Sequence, residues 1–290
     1  MKYVAPFLTC CNNVFSMRPK ILILFFLAAF GAEAQTINVM TYNIRFDNPN
    51  DGINQWSSRK QKVFDLVRKY DPDIFGVQEA LHHQLEDIVK ALPQYKYVGA
   101  GRDDGKQKGE YSALFYKTDK YDVRESKTFW LSENPTEAGS RSWDAAITRV
   151  ASWGKFIEKK SGKNFTFINT HFDHIGKEAR IKSAEIIKRE AVKIAGSDPV
   201  IITGDFNCTR DEQPYKTMIA KDGLNLIDPA PENPEGTFCN FGVNSQPCRA
   251  IDYIFHTAQW KPTNYKVIQD NDGKNYPSDH LPVMVSLTLK

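Results

Sequence analysis

The amino-acid sequence predicts a single α/β domain, a sandwich of sheets and helices whose chemically active side chains collect along one edge. Three observations predict it. Runs rich in β-branched and aromatic residues alternate with amphipathic stretches of helical period. No Pro/Gly/Ser-rich linker, charge block or internal repeat interrupts that alternation after residue 34. The polar residues with chemical potential fall at the ends of the strand-like runs, where sheets gather such ends beside a pocket.

Taken in order, Ile37 to Asn43, Ile74 to Gln78, Ser112 to Tyr116, Ile147 to Phe156, Phe165 to His171, Val200 to Thr203, Ile251 to Phe255 and Val283 to Leu287 read as strands. Gln55 to Lys69, Leu81 to Ala91 and Lys177 to Ala195 read as helices. In the last of these, Ile181, Ala184, Ile187, Ala191 and Ile194 recur at three- and four-residue steps, an apolar stripe made to lie on a sheet. The strand-end residues that follow from this division are Asn43, Glu79, His171, Asp205, Asn207, Asp252, Asp279 and His280.

Residues 1–34 differ in composition from the rest. Ile21 to Phe30 is an unbroken apolar run preceded by Arg18 and Lys20 and followed by Ala32-Glu33-Ala34, the small-x-small form of a signal-peptidase site. We expect cleavage before Gln35 and a protein that is secreted or periplasmic. The run is shorter than the roughly 20 residues of a permanent membrane anchor. Cys10 and Cys11 precede it, which argues against a lipid anchor on either. The leader carries Lys2, Arg18, Lys20 and Glu33, so 35 of the 38 basic and 34 of the 35 acidic residues remain in residues 35–290. A balance that even offers no basic face for a long polyphosphate strand, although totals do not show how charge is distributed. Small phosphorylated substrates are therefore favoured over polymeric DNA. Of the three remaining cysteines, Cys239 and Cys248 would close a short loop, either as a disulfide or as two buried thiols.

Each chemical candidate has a bland alternative. Gly204-Asp-Phe-Asn207 follows the apolar run ending at Thr203, and an Asp and Asn there serve equally as a turn or helix cap. As chemistry, Asp205 would ligate a metal or take a proton from water, and Asn207 would hold that water or bind a phosphoryl oxygen. Glu79 suits a hard cation such as Mg²⁺, which needs only one or two protein carboxylates, or merely answers the dipole of the next helix. Ser278-Asp-His280 sets a carboxylate beside an imidazole. Asp252 lies in an otherwise apolar run, where an unpaired charge is costly, and is the obvious group to orient His280. His171 is a second strand-end imidazole that Glu110 would orient, and a lone histidine there is otherwise structural. His82, His83 and His256 are read as structural.

Together these residues carry more than any one of them. Thr41-Tyr-Asn-Ile-Arg45, Gln78-Glu79, Asn169-Thr-His171, Gly204-Asp-Phe-Asn207, Ile251-Asp-Tyr253 and Ser278-Asp-His280 stand in the order of the motifs of the endonuclease/exonuclease/phosphatase superfamily, which the chain resembles from Ile37 to Leu287. That group includes deoxyribonuclease I, exonuclease III, neutral sphingomyelinases, inositol polyphosphate 5-phosphatases and deadenylases. The resemblance implies a four-layer α/β sandwich, with two packed, mostly antiparallel sheets flanked by helices in a deoxyribonuclease I-like arrangement. It implies that Asn43, Glu79 and Asp279 form the metal side and that Asp205 and Asn207 activate or position water. It further implies that Asp252 orients His280, that His171, with Glu110 as its partner, contacts phosphate, and that Arg149 faces the phosphate with Asn43.

The expected activity is hydrolysis of a phosphate mono- or diester by an activated water, with Mg²⁺ (or Mn²⁺ or Ca²⁺) as cofactor. Either Asp205 or His280 would take the proton. The shared motifs hold only the phosphate, so the substrate follows from weaker arguments: a small-molecule or glycan phosphate ester is expected ahead of nucleic acid, and a monomer ahead of an assembly. Trp130 and Trp143 would either line a sugar-binding wall or serve in packing. Two other readings stand beside this one, a secreted nuclease and a non-catalytic binding protein on the same fold.

Overall fold

A computed structural model describes residues 1–6, 36–245 and 247–290. The expected leader over residues 1–34 falls, from residue 7 onward, outside the described residues. The chain divides into two units, residues 1–33 and 34–290. Of the first, residues 1–6 are exposed and lack regular secondary structure. All that follows concerns the second.

Its strands are β1 (Thr36–Asn43), β2 (Ile74–Ala80), β3 (Tyr95–Val98), β4 (Tyr111–Lys117), β5 (Tyr121–Trp130), β6 (Val150–Glu158), β7 (Asn164–His171), β8 (Val200–Asp205), β9 (Leu226–Ile227), β10 (Asp252–Thr257), β11 (Trp260–Val267) and β12 (Val283–Leu289). Its helices are α1 (Trp56–Tyr70), α2 (His82–Ala91), α3 (Lys177–Ala195) and α4 (Gln213–Ile219), with a 3₁₀ segment at Pro49–Asn54. One six-stranded sheet runs β11-β12-β1-β2-β4-β3 and the other β5-β6-β7-β8-β10-β9. Only β1 with β2 and β7 with β8 are parallel, and every other pairing is antiparallel. Each parallel pair is joined through a helix, α1 or α3, as a parallel connection requires.

Three apolar clusters separate four layers. Val63, Phe64, Val67, Leu85 and Ile88 of α1 and α2 pack on Met40, Tyr42, Phe75 and Phe115 of the first sheet. Ala184, Ile187 and Ala191 of α3 pack on Ile168, Ile202 and Phe255 of the second. Val39, Ile74, Leu114, Phe165, Phe167, Ile201 and Val285 fill the space between the sheets. The two-residue period of a strand explains the sorting: Val39 faces inward and Met40 outward, Phe167 inward and Ile168 outward. At roughly 1.5–3 kcal/mol for each large apolar side chain fully buried, these interfaces dominate the stability.

One polar group crosses the inner core. Asn169 of β7, wholly buried, donates from Nδ2 to the carbonyls of Val77 (2.8 Å) and Ala113 (2.9 Å) in the opposite sheet. Its Oδ1 accepts from Gln78 Nε2 (2.6 Å) and Thr203 Oγ1 (3.0 Å). All of its hydrogen-bonding capacity is engaged across the two sheets. Gly76 makes room for it, since a Cβ there would lie 2.4 Å from both Asn169 Oδ1 and Thr203 Oγ1.

The expected elements are present with their ends moved by up to a few residues. The run expected from Ile147 becomes a strand only at Val150. Strands β3, β5, β9 and β11 and helix α4 were not expected. β5 and β11 are edge strands, whose outward residues (Arg124, Glu125, Ser126, Lys127; Lys261, Thr263, Asn264) are largely exposed and polar, so the apolar alternation is broken. Cys239 and Cys248 are joined in a disulfide, and Cys208 is free and buried.

If Asn169 ties the sheets, Asn169→Ala loses about 2–4 kcal/mol of unfolding free energy, because the carbonyls and amide it served are left buried and unpaired. Gly76→Ala should lose a comparable amount by overpacking the same point. Urea denaturation measures both, and losses within about 0.5 kcal/mol of zero for both would contradict the assignment.

Candidate active site

The topology brings the candidates together. The parallel strands β1, β2, β7 and β8 end at one edge, at Asn43, Glu79, His171 and Asp205. Their antiparallel neighbours begin there, so Glu110 before β4, Arg149 before β6, Asp252 at the start of β10 and Asp279-His280 before β12 arrive at the same edge. His171 is in register with Asp205, and Asp205 with Asp252. A cavity of about 500 Å³ opens there, lined among others by Glu79, Glu110, Arg149, His171, Asp205, Asn207, Asp279 and His280.

Three backbone positions at this edge are left-handed, and two of them, Arg45 and Glu79, are strained by it. Arg45 (φ 57°), Glu79 (φ 65°) and Asn207 (φ 49°) are left-handed, a conformation that disfavours side chains other than Asn, Asp and Gly. Such residues persist only where surrounding structure over-determines them, and here all three face the same cavity.

Among the described residues, ligand atoms of Glu79, Asp205 and His280 lie within 4.8 Å of one another, close enough to share a metal ion. Asn43 Nδ2 donates to Glu79 Oε1 (3.0 Å) and Asp205 Oδ2 (3.0 Å), and its Oδ1 accepts from the Arg45 backbone (3.0 Å). Asn43 therefore holds the two carboxylates with its donor end, where it was expected as a metal ligand. Asp279, also expected on the metal, lies outside that triad, with its Oδ2 3.8 Å from the guanidinium of Arg45 and its Oδ1 accepting from Ser278 Oγ.

His280 sits between carboxylates. Its Nδ1 is 2.9 Å from Asp252 Oδ2, as expected, and its Nε2 is 3.7 Å from Asp205 Oδ2. Burial alone would keep the imidazole neutral, but Asp252 and then Asp205 hold its pKa well above the ordinary histidine value. Burial and the neighbouring Asp252 push Asp205 up to about 7, against the opposing pull of His280. Asp279 is raised by burial, a shift that His280 opposes and Glu79 reinforces. For Glu79 burial also acts upward, yet His280, Asn43 and Arg45 outweigh it and hold the carboxylate below its usual range. The shifts run in opposite directions within one cluster because its charges cannot all stand together in a water-poor space.

The groups beside this cluster are neutral to cationic, beginning with His171, whose Nε2 lies 3.3 Å from Asp205 Oδ2. Burial, aided by Arg149 and Arg102, pushes His171 well below the ordinary histidine value, so it is a neutral imidazole. Asn207 Nδ2 lies 3.0 Å from His171 Nε2 and donates to the Phe172 carbonyl at 3.1 Å, leaving Asn207 Oδ1 as the acceptor for a water. Arg149 is buried in the cavity wall, with Nη2 3.2 Å from His174 Nδ1 and Nη1 3.9 Å from Glu110. Glu110 does not orient His171 as expected. Its carboxylate is taken by Arg102 at 2.6 Å, and His171 Nδ1 is buried without a partner. A charged guanidinium outcompetes a neutral imidazole for the same acceptor.

Other residues act at this edge without having been expected there. Thr237 Oγ1 donates to Asp252 Oδ2 at 2.6 Å, so the atom that orients His280 is itself held. Arg59 of α1, buried, donates to the carbonyls of Ile44 and Pro277, and to that of Arg45 at 2.6 Å, joining the strand-end segments that carry Arg45 and Asp279. Arg45 reaches both Glu79 and Asp279. A threonine and two arginines within apolar or turn-rich surroundings were the available signals, but their partners are remote in sequence. Trp130 is buried and bonds the Arg102 carbonyl, and Trp143 packs against the α3 cluster; neither lines this cavity.

Residues 40–280 match the sequence profile of the endonuclease/exonuclease/phosphatase family. Among solved structures, an endonuclease/exonuclease/phosphatase from Bacteroides vulgatus is 40% identical with a TM-score of 0.84, covering 88% of this chain and 100% of its own. A mannosyl-6-phosphatase from Bacteroides thetaiotaomicron is 41% identical with a TM-score of 0.81, covering 87% and 99%. Nocturnin of Drosophila melanogaster is 23% identical across 89% of this chain, which spans 47% of that longer protein. With its profile matched over most of its length and its four-layer sandwich in agreement, the chain belongs to the endonuclease/exonuclease/phosphatase family.

Proposed function

We propose that this family phosphoesterase is an exported, divalent-cation-dependent enzyme that hydrolyses a small or carbohydrate-linked phosphate ester with an activated water. The observation that carries the reading is the meeting of Glu79, Asp205 and His280 within 4.8 Å in the lining of a cavity that Arg149 and His171 also line. Glu79 and Asp205 fit a hard cation by donor chemistry, and an ion there would offset the mutual repulsion of the neighbouring carboxylates. Mg²⁺ is the first choice, with Mn²⁺ and Ca²⁺ as alternatives. When bound, the ion supplies Lewis-acid neutralisation of the phosphoryl oxygens.

The chain's own groups do the rest. Arg149 receives the phosphoryl oxygens, and neutral His171, with Nε2 3.0 Å from Asn207 Nδ2 and 3.3 Å from Asp205 Oδ2, positions those two side chains. A water held by Asn207 Oδ1 gives its proton to Asp205 as its oxygen forms the new bond to phosphorus and the bond to the leaving oxygen breaks. Asp205 suits that role by position: its Oδ1 accepts from the Asn207 backbone at 2.9 Å, so its carboxylate stands beside the side chain that holds the water. His280, kept cationic by Asp252, faces the developing negative charge.

Charge supports the substrate class. The cavity is lined by five carboxylates (Asp51, Glu79, Glu110, Asp205, Asp279) against three guanidiniums (Arg45, Arg149, Arg249), a balance that leaves no track for a polyanion. Similarity to a mannosyl-6-phosphatase points the same way. Export is supported by the leader-like composition before Gln35 and by the Cys239–Cys248 disulfide, which persists in oxidising compartments.

Two outcomes follow. With Mg²⁺ at about 0.15 M salt, where exposed charges are screened beyond roughly 8 Å, kcat/KM for sugar phosphates exceeds that for duplex DNA; the reverse by a wide margin would remove the substrate assignment. Asp205→Asn and His280→Ala should each lower kcat by about 10²–10⁴, with the double variant little worse than either. Losses that multiply in steady-state assays would show that the two residues act in separate steps.

A further inference from the structure

One wall of the cavity is built by residues that the chemistry above does not use. Phe238, Asn240, Phe241 and Arg249 all line it, and all lie within or directly beside the loop closed by the Cys239–Cys248 disulfide. The backbone of this loop is tied to the catalytic edge. Phe238 and Arg249 exchange N–H···O bonds of 2.9 and 3.0 Å, so the two ends of the loop pair with each other. Cys239 N–H donates to the Asp279 carbonyl at 3.0 Å, and Leu281 N–H donates to the Thr237 carbonyl at 2.6 Å. The loop is therefore registered against the segment that carries His280, and no long side chain intervenes.

The side chains it presents are of two kinds. Phe238 lies with its ring centroid 4.8 Å from that of His280, and Phe241 sits 5.6 Å from the buried guanidinium of Arg59, which holds its ring from behind. Both rings are only part-buried. Between them, Asn240 is exposed in the left-handed conformation (φ 56°), which asparagine tolerates. Arg249 is exposed as well, with only a 3.9 Å contact to Glu212. Two fixed aromatic faces beside one amide and one guanidinium form a recognition set for a ring that is apolar on its faces and hydroxylated at its rim. A polyanion would call for several cations in a row, and this loop offers one.

We propose that the disulfide-closed loop is the sugar-recognition wall of the site: Phe238 and Phe241 take the apolar face of the sugar that carries the phosphate, and Asn240 and Arg249 hydrogen-bond its hydroxyls. This rests on the phosphoesterase reading above and concerns the part of the substrate that the catalytic groups leave untouched. The disulfide has a defined part in it. An irregular loop bearing two aromatic side chains would otherwise lose conformational freedom when it closes on a ligand, and the cross-link removes part of that loss in advance.

The test compares a hexose 6-phosphate with p-nitrophenyl phosphate, whose leaving group has no hydroxyls, by phosphate release in Mg²⁺ with wild type, Phe241→Ala, Asn240→Ala, Arg249→Ala and the double variant Cys239→Ser/Cys248→Ser. The selectivity, kcat/KM for the sugar ester over that for the aryl ester, should fall roughly tenfold or more in each side-chain variant, mainly through KM for the sugar ester. In the double variant it should fall in the same direction. Asn240 and Arg249 are exposed, so their variants keep the fold, and equal melting temperatures verify it. A selectivity within about twofold of wild type in all four variants, with turnover retained, would overturn the role of the loop alone. No turnover of either ester by wild type would overturn the phosphoesterase reading and the loop's role together.

Discussion

Four carboxylates, Glu79, Asp205, Asp252 and Asp279, surround a single imidazole at the edge of two packed sheets, and three of the four are buried outright. Much of the rest of the structure is arranged to make that tolerable. Like charges a few ångströms apart in a water-poor space repel strongly, and the protein responds by pushing the pKa of Asp205 up to about 7, that of Asp279 above its usual value and that of His280 well above the ordinary histidine value. Protons, however, are an incomplete answer near neutral pH, where Asp205 is close to its midpoint. A divalent ion between Glu79 and Asp205 would complete it, and the same ion would neutralise a phosphoryl group.

The scaffold holds the repelling groups by distributing them over different strands and fastening the strands elsewhere. Asn169 bridges both sheets with four hydrogen bonds in the inner core, about one strand-end away from His171 on the same strand. Asn43 ties Glu79 to Asp205, and Thr237 ties Asp252, which in turn holds His280. Left-handed backbone at Arg45, Glu79 and Asn207 completes the aim of these side chains. That strain is sustained by Arg59, which collects the carbonyls of the turn after β1. Packing, polar fastening and strain therefore converge on one result, a rigid acidic edge facing a small cavity.

The central strands and the three long helices were legible in the sequence because their apolar residues are continuous or strictly periodic and their ends carry isolated polar groups. Asp205, Asp252 and His280 stood out as candidates by that contrast, but each had a bland alternative until the motifs were read together; the structure brings the three to one edge. Edge strands β5 and β11 could not, since half of each faces solvent and mixes charge into the pattern. Partnerships were harder still. Glu110 was paired with His171 because nothing local shows that Arg102, eight residues before it, competes for the same oxygen. Thr237 and Arg59 act on residues supplied by distant strands, and their importance exists only once the sheets have assembled. The Cys239–Cys248 pair was visible as a possibility, but its consequence, a closed loop beside His280, depends on Phe238 bridging to the segment before β12.

The most direct measurement is the rate of phosphate release from a sugar phosphate by protein stripped of divalent ions with a chelator and then titrated with Mg²⁺. If the buried carboxylates are a cation site, the stripped protein is inactive, and activity rises to saturation as the ion is returned. Undiminished turnover in excess chelator would contradict the cation's place in the chemistry and leave the charge cluster at this edge without the purpose assigned to it.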